Sequence, residues 1–177
     1  MFRCYVTNRR QGDVLVYAKK AVAKRVNFIQ VREKDLGARA LFELVCSIRD
    51  AAAESTTKVL VNDRVDIAIA AGIDGVHLPG SGLPTARVRP LVKTLGRSVH
   101  SFDEAVQAER EGADYVIFGP IFDTPGKKPV GLEALRSVTS AVKIPVLAIG
   151  GITHENTADA IAAGAAGIAA IRMFQSE

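Results

Sequence analysis

The residues in this chain best suited to chemistry are cations, amides and histidines placed at the ends of short apolar runs. In Gln30-Val31-Arg32-Glu33-Lys34, strand alternation puts Gln30, Arg32 and Lys34 on one face. One amide and two cations on a single face suit a ring amide and a phosphate or diphosphate. A solvated strand end carries the same residues. Asn62-Asp63 closes another apolar run, where the acid can hold Mg²⁺ or cap the next helix. His77 and His100 each flank apolar residues, a setting for either a general base or a structural imidazole. Thr124-Pro125-Gly126-Lys127-Lys128-Pro129 is a polar loop of the size a mobile lid uses, or a plain solvated basic loop. His77, His100 and Lys127 are therefore the candidates for catalytic work.

A different device stands in Ile144-Pro145-Val146-Leu147-Ala148-Ile149-Gly150-Gly151-Ile152. Val146–Ile149 is apolar without alternation, as a parallel strand buried on both faces is. Pro145 opens it, where a missing N–H costs least. Gly150-Gly151 then lets backbone N–H groups approach an anion closely, or simply makes a tight turn into the next helix.

The elements that must position these groups alternate from end to end. Strands are expected at Cys4–Thr7, Phe28–Val31, Val59–Val61, Gly75–Leu78, Ser98–His100, Tyr115–Gly119, Val146–Ile149 and Gly167–Ile171. Helices are expected over Val14–Lys24, around Leu41–Ile48, and over Val65–Ala71, Val88–Thr94, Asp103–Glu111, Leu132–Val142 and Ala158–Ala163. Ser101 with Glu104 is a capping-box signature, and Gly72, Gly112 and Gly164 stand where helices should stop. Eight strand–helix units read as an α/β fold, one (β/α)8 barrel over residues 1–177. The units are tight, about 20 to 25 residues each. Only Arg172–Glu177 follows the last strand, so a truncated or missing final helix is expected, with self-association as one way to cover that face. In such barrels the chemistry lies at the C-terminal strand ends, where these polar residues fall.

Composition narrows the classes. The chain has 177 residues, 48% hydrophobic and 24% charged, with a net charge of +4, ordinary globular values with a mild lean toward anionic ligands. No Arg/Lys stripe with interleaved aromatics is present and there is no tryptophan, which points away from nucleic acid. No apolar run approaches a membrane span, and the start lacks a signal peptide's layout. Cys4 and Cys46 lie outside any CxxC and read as reduced thiols of a cytoplasmic protein.

The runs Gln30-Val31-Arg32-Glu33-Lys34, Val61-Asn62-Asp63-Arg64, Asp74-Gly75-Val76-His77-Leu78, Asp114-Tyr115-Val116, Gly119-Pro120-Ile121-Phe122 and Ile149-Gly150-Gly151-Ile152 occur in order. Together they resemble the thiamine-phosphate synthase and TenI family over nearly the whole chain. The resemblance implies a barrel of thiamine biosynthesis. The synthase joins a hydroxymethylpyrimidine diphosphate to a thiazole phosphate with Mg²⁺. By position, Gln30, Arg32, Lys34, Asn62, Ser98 and Lys127 would face the pyrimidine diphosphate, Asp63 would be a Mg²⁺ ligand, and Thr124, Gly150, Gly151 and Ile171 would hold the thiazole phosphate.

The chain departs from that pattern at three places. The synthase carries an acid after the His77-Leu78 position, whereas Pro79-Gly80-Ser81-Gly82 stands here. Gly126 replaces the second threonine of the Thr-x-Thr-Lys loop, and Arg172 replaces the serine after the last strand. Gly96–Glu109 resembles the TenI branch more closely, a branch of thiazole tautomerases that need a base and no metal. That branch's histidine after the strand-6 glycine is Pro120 here. The leading expectation is a TenI-like tautomerase acting on a thiazole phosphate, with no cofactor. The alternatives are a Mg²⁺-dependent thiamine-phosphate synthase and an inactive ligand-binding or regulatory relative. Arg172 is expected to strengthen anion binding or to pair with Asp63 or Glu33.

Overall fold

The computed structural model describes residues 1–175. Eight parallel strands close into a barrel in the order β1 to β8, with β1 hydrogen-bonded to β8. They are β1 (Phe2–Val6), β2 (Phe28–Val31), β3 (Lys58–Asn62), β4 (Gly75–Leu78), β5 (Thr94–Val99), β6 (Tyr115–Phe118), β7 (Val146–Ile149) and β8 (Gly167–Ala170). The helices between them are α1 (Val14–Ala23), α2 (Ala38–Ala52), α3 (Val65–Ala71), α4 (Thr85–Val88), α5 (Phe102–Arg110), α6 (Gly131–Ala141) and α7 (Thr157–Ala162). After β8 comes a 3-10 turn, Arg172–Phe174, where a full barrel has its eighth helix; Ser176 and Glu177 lie outside the described residues. No helix among the described residues is long and apolar enough to cross a membrane.

Two expectations about elements fail. The helix expected over Val88–Thr94 is instead the end of α4 and a 3-10 turn at Arg89–Leu91. Pro90 has no N–H to continue the α-helical ladder of α4, so the helix stops at Val88. The strand expected at Ser98–His100 starts four residues earlier, at Thr94. Gly96 and Arg97 break its apolar pattern, because β5 gives up a side chain inside the barrel to make room for a neighbour's ring.

Strand alternation divides the core. Cys4, Val6, Phe28, Leu60, Tyr115, Ile117, Leu147 and Ala169 point inward and fill the barrel. Cys4 is fully enclosed there, and burial pushes its thiol pKa up to about 12. The outward strand residues pack beneath the helices in two clusters, one around Tyr5, Ile29, Val61 and Leu95, the other around Val116, Phe118, Leu135 and Ile168. Burying one such Leu, Ile or Val side chain contributes about 1.5–3 kcal/mol.

Caps fix where helices begin. The Asp13 carboxylate accepts from the Leu15 and Val16 amides at 2.9 and 3.1 Å. Ser101 Oγ accepts from the Glu104 amide at 3.2 Å, and the Glu104 carboxylate reaches back to the His100 amide at 2.6 Å. At the N-terminal rim, polar side chains tie one strand to the next. Asn27 accepts from the Arg3 amide at 2.9 Å, Asp74 from the Val59 amide at 2.9 Å, and Asp114 from the Leu95 amide at 2.7 Å.

Candidate active site

The C-terminal strand ends open onto a cavity of about 610 Å³. Its wall includes Gln30, Arg32, Lys34, Asn62, Ser98, His100, Thr124, Lys127, Gly150, Gly151, Ile171 and Arg172. Those twelve candidate residues come from β2, β3, β5, β6, β7 and β8 or the loops that follow them, so the closed barrel is what brings them together. Ile117, Ile149 and Ala169 also line it, from the same inward-facing positions that pack the barrel core. Four cations, Arg32, Lys34, Lys127 and Arg172, face the cavity against one carboxylate, Glu104, which makes the site receptive to a polyanion.

The β2 loop is held from behind. Glu33 is buried between Arg32 and Lys34 in sequence, and its carboxylate accepts from the Thr7 hydroxyl at 2.5 Å and the Arg9 amide at 3.0 Å. Thr7 Oγ1 in turn accepts from the Arg32 amide at 2.9 Å. With Glu33 turned in, Arg32 and Lys34 are left facing the cavity while Gln30 sits buried at its wall. Arg172 borders the cavity after β8, with its surface exposed.

The loop after β4 has a similar brace. Arg97 donates to the Leu83 carbonyl at 2.6 Å and to the Gly80 carbonyl at 2.9 Å, which fixes Pro79, Gly80 and Ser81 in the cavity wall. After β6, the Lys127 amide donates to the Thr124 carbonyl at 3.0 Å. Gly126 has φ +75°, as the third residue of a Pro-Gly turn requires. After the neighbouring strand β7, Gly150 and Gly151 have φ of +93° and +65°. A Cβ on Gly150 would stand 2.3 Å from Pro120 Cβ, and one on Gly151 would stand 2.6 Å from the Asp123 carbonyl oxygen. The glycine pair is what lets the β6 and β7 loops close on each other.

Two candidates stay out of the wall. His77 is enclosed inside the barrel, its Nδ1 3.1 Å from the Tyr115 hydroxyl and its Nε2 2.8 Å from Ser98 Oγ. Burial, reinforced by the charges of Arg97 and Arg32, pushes its pKa down to about 3, so the ring is neutral. Both ring nitrogens are engaged, and the ring reaches the cavity only through Ser98. Asp63 is exposed beyond β3 in a left-handed conformation, φ +66°, outside the cavity lining. His100 differs from His77. Its Nδ1 lies 2.8 Å from the Gly119 carbonyl, which accepts a hydrogen from Nδ1 and leaves Nε2 with the open lone pair when the ring is neutral.

Mg²⁺ needs an oxygen set, and the chain offers little of one. No group of three or more His, Cys, Asp or Glu residues that could hold a metal comes together among the described residues. Gly82 lies against Asp63: a Cβ there would stand 2.9 Å from Asp63 Oδ1, and glycine brings no carboxylate. Asp63 is the carboxylate at that position, so any Mg²⁺ held there would depend on oxygens from outside the chain.

Sequence reasoning overlooked Glu104, which both caps α5 and lines the cavity, and the Pro79–Ser81 wall. Glu104 was legible as a cap; its second duty depends on α5 starting at the cavity rim.

The chain matches a family model described as thiamine monophosphate synthase over residues 4–174. A protein from Geobacter sulfurreducens described as a putative thiamine-phosphate synthase is 44% identical, over 94% of this chain and 83% of its own length. A thiamine-phosphate synthase from Moorella thermoacetica is 45% identical, over 89% of this chain and 78% of its own. Among solved structures, the thiamine phosphate pyrophosphorylase from Pyrococcus furiosus superposes with a TM-score of 0.90 at 35% identity, covering 96% of this chain and 85% of that one.

Proposed function

This chain belongs to the thiamine monophosphate synthase family, and from that premise we propose that it acts as a thiamine-phosphate synthase. The supporting observation is the division of the cavity. The neighbouring strands β2 and β3 bring Arg32, Lys34 and the amides of Gln30 and Asn62 to the cavity wall, and the neighbouring strands β6 and β7 bring Lys127, Thr124 and the Gly150-Gly151 backbone. That arrangement accepts a ring bearing a diphosphate on one side and a phosphorylated heterocycle on the other. The relatives' names favour this reading over the tautomerase expected from the Gly96–Glu109 resemblance.

In the proposed reaction the bond between the pyrimidine methylene carbon and the diphosphate oxygen breaks. The thiazole nitrogen supplies the electron pair for the new carbon–nitrogen bond, and diphosphate leaves. Arg32, Lys34 and Lys127 neutralise the charge that builds on the departing oxygens, which is worth most in a cavity that excludes water. Gln30 and Asn62 orient the pyrimidine edge, each with a donor and an acceptor. Thr124, Gly150, Gly151, Ile171 and Arg172 seat the thiazole phosphate. Mg²⁺ would sit at Asp63 and supply further neutralisation of the diphosphate.

The deciding experiment incubates the purified chain with hydroxymethylpyrimidine diphosphate, thiazole phosphate and Mg²⁺. Stoichiometric thiamine phosphate and diphosphate are expected; no product under these conditions overturns the reading. One observation favours a second reading. The open Nε2 lone pair of His100 is placed to move a proton on a thiazole carboxylate phosphate, a tautomerase role. Isomerisation of that compound without coupling, abolished by His100→Ala, would establish it.

A further inference from the structure

Inside the barrel lies a polar chain that the transfer chemistry leaves unused: Tyr115, His77 and Ser98, on β6, β4 and β5. The Tyr115 hydroxyl lies 3.1 Å from His77 Nδ1, and His77 Nε2 lies 2.8 Å from Ser98 Oγ. Tyr115 and His77 are buried, while Ser98 lines the cavity. The Tyr115 ring stacks on Phe28 with centroids 4.9 Å apart and planes 10° from parallel.

The sequence makes room for this chain at a specific residue. Strand register sets Gly96 beside both His77 and Tyr115. A Cβ on Gly96 would stand 2.3 Å from Tyr115 Cζ and 2.5 Å from His77 Nδ1. Any larger residue on β5 at that level displaces the contact between phenol and imidazole.

The chain has a definite polarity. A buried phenol must place its hydrogen on an acceptor, and among the described residues its hydrogen-bond partner is His77 Nδ1. A neutral imidazole has one N–H, so with Nδ1 accepting, Nε2 carries the hydrogen and donates to Ser98 Oγ. The Ser98 hydroxyl is then free to send its own hydrogen outward. The opposite polarity strands the phenol hydrogen in a dry interior, which costs more than a hydrogen bond gains. The neutrality this requires agrees with the suppressed basicity of the enclosed ring.

We propose that Tyr115 and His77 are positioning residues that fix the Ser98 hydroxyl as a hydrogen-bond donor into the cavity. Where the cavity takes a diphosphate, a matter that rests on the function proposed above, the acceptor is a phosphoryl oxygen. The pair never touches the substrate; it sets the direction of a hydroxyl that does.

The test uses the full chain labelled with ¹⁵N at histidine, together with Tyr115→Phe, Ser98→Ala and the double variant. Phenylalanine keeps the stacked ring and removes only the hydroxyl. The imidazole spectrum of the wild type should show His77 with hydrogen on Nε2 and a bare Nδ1, and Tyr115→Phe should mix the two tautomers. Inorganic diphosphate, followed by calorimetry, should bind about three- to tenfold more weakly to Tyr115→Phe, the effect of one hydrogen bond. In the Ser98→Ala background the same substitution should cost nothing further. Hydrogen on Nδ1 in the wild type overturns the proposal, and so do additive losses in the double variant. Wild-type protein with the Nε2–H tautomer but no affinity for diphosphate upholds the relay and overturns the reading of the cavity as a diphosphate site.

Discussion

The two ends of the barrel use the same residue types to opposite ends. At the N-terminal rim, Asn27, Asp74 and Asp114 are consumed by backbone amides of neighbouring strands, and Arg89 closes on Asp114 at 2.6 Å while also donating to the Val92 and Lys93 carbonyls. At the C-terminal rim, Asn62, Arg32 and Lys127 face a cavity, and the polar groups that pin the chain stand behind them. Glu33 with Thr7, and Arg97 with the Pro79–Leu83 loop, do the pinning there. A polar side chain whose partners are all internal contributes to stability; one held in place with its donors open contributes to binding. The contrast lies in where the hydrogen bonds end.

Four substitutions sharpen or break that contrast. Arg32→Ala should lower kcat for coupling by about a hundredfold or more, as loss of one charge-stabilising donor does. Its urea midpoint should stay near the wild type, and a large loss of stability would break the division. Asp114→Ala should do the reverse, costing about 2 kcal/mol in urea denaturation because the Leu95 amide and the Arg89 guanidinium lose a charged partner, with kcat held. Asp63→Asn should raise the Mg²⁺ concentration for half-maximal rate by about tenfold, the share of a single carboxylate in a site otherwise built from substrate and water. Lys128→Ala should change kcat/KM by less than about twofold, since this exposed neighbour of Lys127 stands outside the cavity lining. An effect at Lys128 equal to that of Lys127→Ala would show that the loop acts through net charge rather than placement.

Much of this was legible in the residues. Unbroken apolar runs such as Val146–Ile149 gave away buried parallel strands, and glycine stops such as Gly72 marked helix ends. The alternation of Gln30, Arg32 and Lys34 pointed at one wall because a strand end keeps its period for a residue or two. β5 was read short for the opposite reason: Gly96 is empty to admit Tyr115 from the next strand, a fact of three-dimensional packing that no local pattern carries. His77 read as a candidate base because sequence shows residue type, not depth. Its enclosure follows from the inward face of β4, set by register with β3 and β5. Asp63 likewise follows its strand as expected, yet it stands outside the cavity lining.

Cys4 gives the molecule a built-in clock. Its sulfur is sealed within the staves of the cylinder, and the depressed acidity of the thiol leaves almost no thiolate to react. Cys46, partly buried on α2, is within easier reach of a labelling reagent. Modification of the two sulfurs on one chain therefore separates two events: ordinary surface chemistry at Cys46, and the moment the staves part at Cys4.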